Sequence, residues 1–109
     1  MTNIPGFTLP RMPEIPTIKS APEYAFDALR LEMKGFQSRL TDEFELGAVA
    51  NGAGLIIYVS GVRLSGHMII FEGEDANGHK AILIQHFTQV NVQMIAVPKQ
   101  KDEPRRIGF

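Results

Sequence analysis

From Glu43 the spacing of apolar residues changes from three-and-four to two, and from there to Val97 alternating and continuous apolar runs are divided by turn signals. A repeat of two puts alternate side chains on opposite faces of an extended chain, so this stretch predicts strands sharing a buried face. Phe44, Leu46 and Ala48 alternate with Glu43, Glu45 and Gly47, and Asn51-Gly52-Ala53-Gly54 supplies a turn. Leu55–Ser60 reads as a strand and Ser60-Gly61 as the turn that closes it. In Val62–Phe71 the residues Val62, Leu64, Met68 and Ile70 face one side; Arg63, Ser65, His67, Ile69 and Phe71 face the other. Asp75-Ala76-Asn77-Gly78 is the strongest hairpin signal, because Asn-Gly readily takes the positive φ angles of a tight turn. Lys80–Phe87 is almost wholly apolar, which predicts a central strand covered on both faces. Gln89–Val97 alternates again, and its β-branched content favours strand over the helical spacing of Phe87, Val90, Met94 and Val97. Pro98 ends it.

One helix precedes the strands. Ser20-Ala21-Pro22-Glu23 is a capping-box pattern with proline in the first turn. After it Phe26, Leu29, Met33, Phe36 and Leu40 form one apolar stripe over about five turns. Gly35 interrupts the helix and is expected where it closely approaches the sheet. Ahead of the helix, Pro10, Pro13 and Pro16 keep the three-residue period of a polyproline II helix, which aligns Leu9, Met12, Ile15 and Ile18 along one edge. An apolar edge is not what a plain linker keeps, so an ordered arm packed on its own domain or a neighbour is expected.

The resulting plan is an α+β domain, with one amphipathic helix on an antiparallel sheet of about five strands, open or curled into a small barrel. Residues 1–19 are the extended arm, 20–98 the domain and 99–109 a basic and apolar tail. Ile107 and Phe109 are poorly suited to water, so the last residues are expected to dock. The chain has 109 residues and no cysteine, which excludes disulfides, thiolate metal sites and a cysteine nucleophile and fits a cytoplasmic protein. No apolar run approaches the ~20 residues of a membrane span. Net charge is −1, yet residues 42–75 carry six acids against Arg63 alone, and residues 76–109 five bases against Asp102 and Glu103. Such a split can steer self-association or an anionic partner such as RNA.

Chemistry is thinly marked. His67, His79 and His86 lack metal-ligand spacing, and no cofactor motif is present. His86 shares strand parity with Ile82 and Ile84, which predicts a core histidine, and His79 follows a turn and faces solvent. Glu72, Glu74 and Asp75 read as a solvated hairpin end, and Gly52-Ala53-Gly54 precedes a strand, so no helix N-terminus is aimed at a phosphate. Ser60 and Ser65 lack a nucleophile-elbow context. The candidate binding residues are His86, Gln85, Arg63, His67, Arg105 and Arg106, and none is assigned a catalytic role.

Glu45-Leu-Gly47, Leu83-Ile84-Gln85-His86 and Pro104-Arg-Arg-Ile-Gly-Phe109 resemble a family of small bacterial and phage-borne proteins, domain of unknown function 6173. That resemblance spans roughly residues 22–109 and implies an intracellular single-domain protein with no assigned activity. It draws interest to His86 and Arg106 without giving either a role. Tyr58-Val-Ser-Gly61-Val-Arg-Leu-Ser-Gly66-His-Met-Ile-Ile-Phe71 is similar in shape to the first motif of Sm-like RNA-binding proteins, in which a helix precedes a bent strand pair. Gln85-His86 falls where their bacterial host-factor branch has Lys-His; the lysine is missing here, and a strand-like segment separates helix and motif. The leading expectation is a non-enzymatic homo-oligomeric binding domain assembled through the arm and the sheet. An Sm-like RNA-binding ring is second, and a small enzyme or nucleotide-sequestering phage factor with His86 and Arg63 at a subunit cleft is third.

Overall fold

The computed structural model describes residues 18–100 and 107–109. Residues 1–17 of the arm expected over residues 1–19, and the candidates Arg105 and Arg106, lie outside the described residues. Helix α1 runs Ala21–Ser38. Ser20 caps it as the pattern predicts: its hydroxyl accepts from the Glu23 N–H at 3.4 Å, and the Glu23 carboxylate accepts from the Ser20 N–H at 3.2 Å. Strands β1 (Phe44–Gly52), β2 (Leu55–Ser65), β3 (Met68–Glu74), β4 (Lys80–His86) and β5 (Val92–Pro98) follow, with a single 3-10 turn, Phe87–Gln89, between the last two.

The five strands form one antiparallel sheet in the order β4-β3-β2-β1-β5, with β4 and β5 as edges that do not pair with each other, so the sheet is open and not a barrel. Its inner face carries Leu46, Ala48 and Ala50 of β1, Ile57, Val59 and Val62 of β2, Ile69 and Phe71 of β3, and Leu83 of β4. The α1 stripe covers this face with Met33 fully buried and Phe26, Leu29 and Phe36 half-buried around it. Each fully buried side chain of this size contributes ~1.5–3 kcal/mol before ordering costs.

Two departures decide the shape. Ser60-Gly61 is no turn but a bulge inside one 11-residue strand, where the β2–β3 register shifts between Val59 and Gly61. The turn falls at Gly66, whose φ of +59° suits glycine, and Ser65 pairs directly with Met68. That tight reversal also changes the faces. Val62 and Leu64 pair with Phe71 and Ile69 on the inner side, whereas Met68 and Ile70 join Arg63 on the outer one. Gly35 makes no close approach to the sheet; a Cβ there would meet the Arg39 guanidinium at 3.4 Å and no sheet atom.

The sheet narrows at one end and splays at the other. Only Phe87–Asn91 link the edge strand β4 to the opposite edge strand β5, which the curl of the sheet permits. There the Gln85 side chain donates to the Asn51 carbonyl at 2.8 Å, and the Asn51 N–H donates to the Asn91 carbonyl at 2.9 Å. At the other end β1 leaves β2 beyond Val49–Tyr58 and stays with β5. Gly108 fits beside β2 there: its N–H donates to the Ser60 carbonyl and its carbonyl accepts from the Val62 N–H, both at 2.8 Å. Ile107 and Phe109 pack on the core from that bridge, so these last residues dock as their composition predicts.

Candidate functional site

The outer face of the sheet carries a set of large apolar side chains that the core does not enclose. Ile56, Tyr58, Met68, Ile82, Ile84 and Ile95 are each between 40% and 61% exposed. All six lie on that face by register: Ile56 opposite Asn51, Tyr58 opposite Val49 and Glu74, Met68 opposite His86, Ile82 opposite Glu72, Ile84 opposite Ile70, and Ile95 opposite Gly47. Charged Arg63, Glu72, Glu74 and Lys80 are interleaved with them on the same face.

This overturns the reading of Lys80–Phe87 as a central strand covered on both faces. β4 is an edge, and Ile82 and Ile84 look outward. An apolar run does not by itself distinguish a central strand from an edge strand with an exposed apolar face.

The splayed end of the outer face holds a groove of about 1140 Å³. Gly47 and Val49 of β1, Tyr58 of β2, Ile82 of β4, and Ile95 and Val97 of β5 line it. Gly47 is small for a reason, since a Cβ there would fall 2.5 Å from the Val97 side chain. Glu72, Glu74 and Lys80 give the groove its charged groups.

The sequence-named candidates are divided by the fold. His86 is not a core residue: it is half-buried at the end of β4, on the outer parity of Ile82 and Ile84. The Thr88 N–H donates to its Nδ1 at 3.3 Å, and the Thr88 hydroxyl lies 2.8 Å from the same nitrogen. His67 is brought to it. The two rings stack nearly parallel, 9° apart in plane with centroids 6.0 Å apart, and Phe87 lies 4.7 Å from the His86 ring. Arg63 is on the same outer face but pairs with Glu72 at 2.9 Å, with Ile70 rather than a histidine as its cross-strand neighbour. That pair is half-exposed on both sides and contributes little to stability. Gln85 points to the inner side, where it ties β4 to Asn51. His79 is solvent-facing as predicted and lies 3.6 Å from Asp75.

Among the described residues no group of three or more His, Cys, Asp or Glu could hold a metal ion. No helix among them is long and apolar enough to cross a membrane. The groove residues Gly47, Tyr58, Ile82 and Ile95 were missed by sequence reasoning, because alternation gives a strand two faces without saying which one the helix covers. The chain matches no protein-family model, no curated protein and no solved structure.

Proposed function

We propose that this chain is a non-enzymatic binding and assembly domain that forms homo-oligomers through the outer face of its sheet, in the cytoplasm. The supporting observation is the row of half-exposed Ile56, Tyr58, Ile82, Ile84 and Ile95 on the face of the sheet opposite α1. Among the described residues both edge strands, β4 and β5, also lack a second strand partner, and unpaired edge strands invite pairing with another chain. Replacing Ile82 and Ile84 together by glutamate is expected to lower the mass in light scattering to that of the single chain. Leu31→Glu, on the exposed side of α1, leaves the mass unchanged. An unaltered mass for the Ile82/Ile84 variant contradicts the reading.

An RNA-binding ring of the Sm-like kind is the second reading, and the specific observation in its favour is the cluster of His67, His86 and Phe87. Planar rings in one patch are what unpaired bases stack on. On this reading single-stranded RNA binds with an affinity that falls steeply with salt, and His86→Ala with Phe87→Ala removes it. The same small family as domain of unknown function 6173 is proposed for the chain on its sequence motifs, and it adds no activity.

A further inference from the structure

We propose that two copies of this chain join edge to edge through β4, as an antiparallel strand pair about a two-fold axis at Leu83. The pairing rests on the assembly proposed above and names the strand and the register that make it.

The main-chain groups of β4 divide by parity. At the two ends of the β3–β4 ladder the Asp75 N–H donates to the His79 carbonyl and the Phe87 N–H to the His67 carbonyl, both at 2.9 Å. Between them the register runs without a shift from Glu74–Lys80 to Met68–His86. Bonded positions alternate in an antiparallel ladder, so Ala81, Leu83 and Gln85 turn their N–H and C=O groups to β3. Lys80, Ile82, Ile84 and His86 turn theirs the other way, along an edge that no other strand among the described residues pairs with.

That edge fits itself best in one register. Only outward-turned residues can bond across it. With the axis at Leu83, Ile82 bonds Ile84 of the second copy and Lys80 bonds its His86, so the whole strand Lys80–His86 is paired. Moving the axis by one residue either way leaves two residues of each strand without a partner. The same register sets Ile82 beside Ile84 on the outer face, an apolar cross-strand pair made twice, and holds the two Lys80 side chains apart at opposite ends. Ile82 and Ile84 are 54% and 61% exposed in the single subunit, so the contact removes apolar surface from water.

β4 also lacks what keeps edge strands apart, namely charged side chains, proline or a bulge along the edge. Between Lys80 and His86 it has none of the three. β5 differs. Its bonds to β1 at Asn91 and Lys99 leave Val92, Met94, Ala96 and Pro98 turned outward, and Pro98 has no N–H to give. Like edges joined about a two-fold axis close at two copies, whereas β4 against β5 of the next copy leaves a free edge at every addition. The closed pair leaves the joined outer faces for any further assembly.

The chain has no cysteine, so introduced thiols report contacts without interference. Full-length Ile82→Cys and full-length Ile84→Cys are mixed, left to exchange subunits and mildly oxidised, beside each variant alone. In the paired register the two different positions lie directly opposite, ~5.5 Å apart at Cα, whereas like positions lie on a diagonal of ~7–8 Å, beyond the reach of a disulfide. The expected result is a covalent dimer from the mixture and none from either variant alone. In the unaltered protein the Ile82 and Ile84 amides should exchange with solvent about tenfold or more slowly than the outward Ala96 amide of β5. Links that form as readily within each variant alone overturn this register and point to outer faces meeting sheet to sheet, and the assembly reading survives. An assembled protein with no link and with fast exchange at Ile82 and Ile84 overturns the β4 pair in the same way. A protein that sediments as a single chain overturns the assembly and the pair together.

Discussion

Gln85 on the edge strand β4 donates its side-chain amide to the carbonyl of Asn51 on β1 at 2.8 Å, although β3 and β2 lie between those strands in the sheet. The same amide group takes a longer bond, 3.5 Å, from the Asn91 N–H. One polar side chain therefore ties together the two edges at the narrow end of the curled sheet. Gln85→Leu leaves the Asn51 carbonyl without this half-buried donor and should cost about 1–3 kcal/mol in urea denaturation. An unchanged midpoint would show that the curl is held by other contacts.

Gly73 on β3 admits no side chain. A Cβ there would fall 1.9 Å from the Tyr58 carbonyl oxygen and 2.8 Å from its carbon, both main-chain atoms of a central strand that cannot move aside. Gly73→Ala should therefore destabilise by about 3 kcal/mol or more, while Glu74→Ala beside it stays within about 0.5 kcal/mol. Comparable melting points for the two variants would contradict this packing.

Met33 is the α1 residue that the core encloses completely, and Leu31 two positions earlier is exposed. Met33→Ala should lose about 2–5 kcal/mol by chemical denaturation, through lost transfer energy and the cavity left behind. Leu31→Ala should lose almost nothing. Equal losses would mean that α1 is rotated about its axis relative to this description.

Asp75 supplies the pH dependence of the β3–β4 hairpin. Its carboxylate accepts from the backbone N–H groups of His79 and Asn77, each at 2.9 Å, and the His79 bond foremost holds its pKa below the ordinary 3.8. A carboxylate whose folded pKa is depressed adds stability above its unfolded value and loses it as pH falls through the folded one. The hairpin should thus keep its turn at neutral pH and loosen only in acid below the ordinary value of 3.8. An NMR titration of the Asp75 carboxyl should give a midpoint below that value; a midpoint at or above it would show that the turn bonds do not form in solution.

How far the sequence could be read depended on which physical signal each part left in it. The helix was plain, because its apolar spacing, its capping serine and its early proline all point the same way and are all local. The Asn77-Gly78 hairpin was plain for the same reason, as was the docking of Ile107 and Phe109. The turn between β2 and β3 was not, since Ser60-Gly61 and Ser65-Gly66 are the same dipeptide and only the register across to β3 tells bulge from turn. Misplacing it by five residues exchanged the faces of Met68 and Ile70 with those of Ile69 and Phe71. The edge position of β4 left no local mark either, because neighbours in a sheet are decided by contacts distant in sequence. His86 followed β4 outward, and with it went the expectation of a core histidine. His67 and His86 meet only because the tight turn at Gly66 sets Met68 opposite His86. Arg63 was placed beside them by chemistry alone, and the fold gives it to Glu72 instead.

The central claim is that the outer face of the sheet is covered by another copy of the chain. Sedimentation velocity of the unaltered 12.1 kDa protein across a range of micromolar concentrations tests it most directly. A species of several times that mass, which dissociates when Ile82 and Ile84 are both replaced by glutamate, is the predicted result. A single species of the chain mass at every concentration would contradict it.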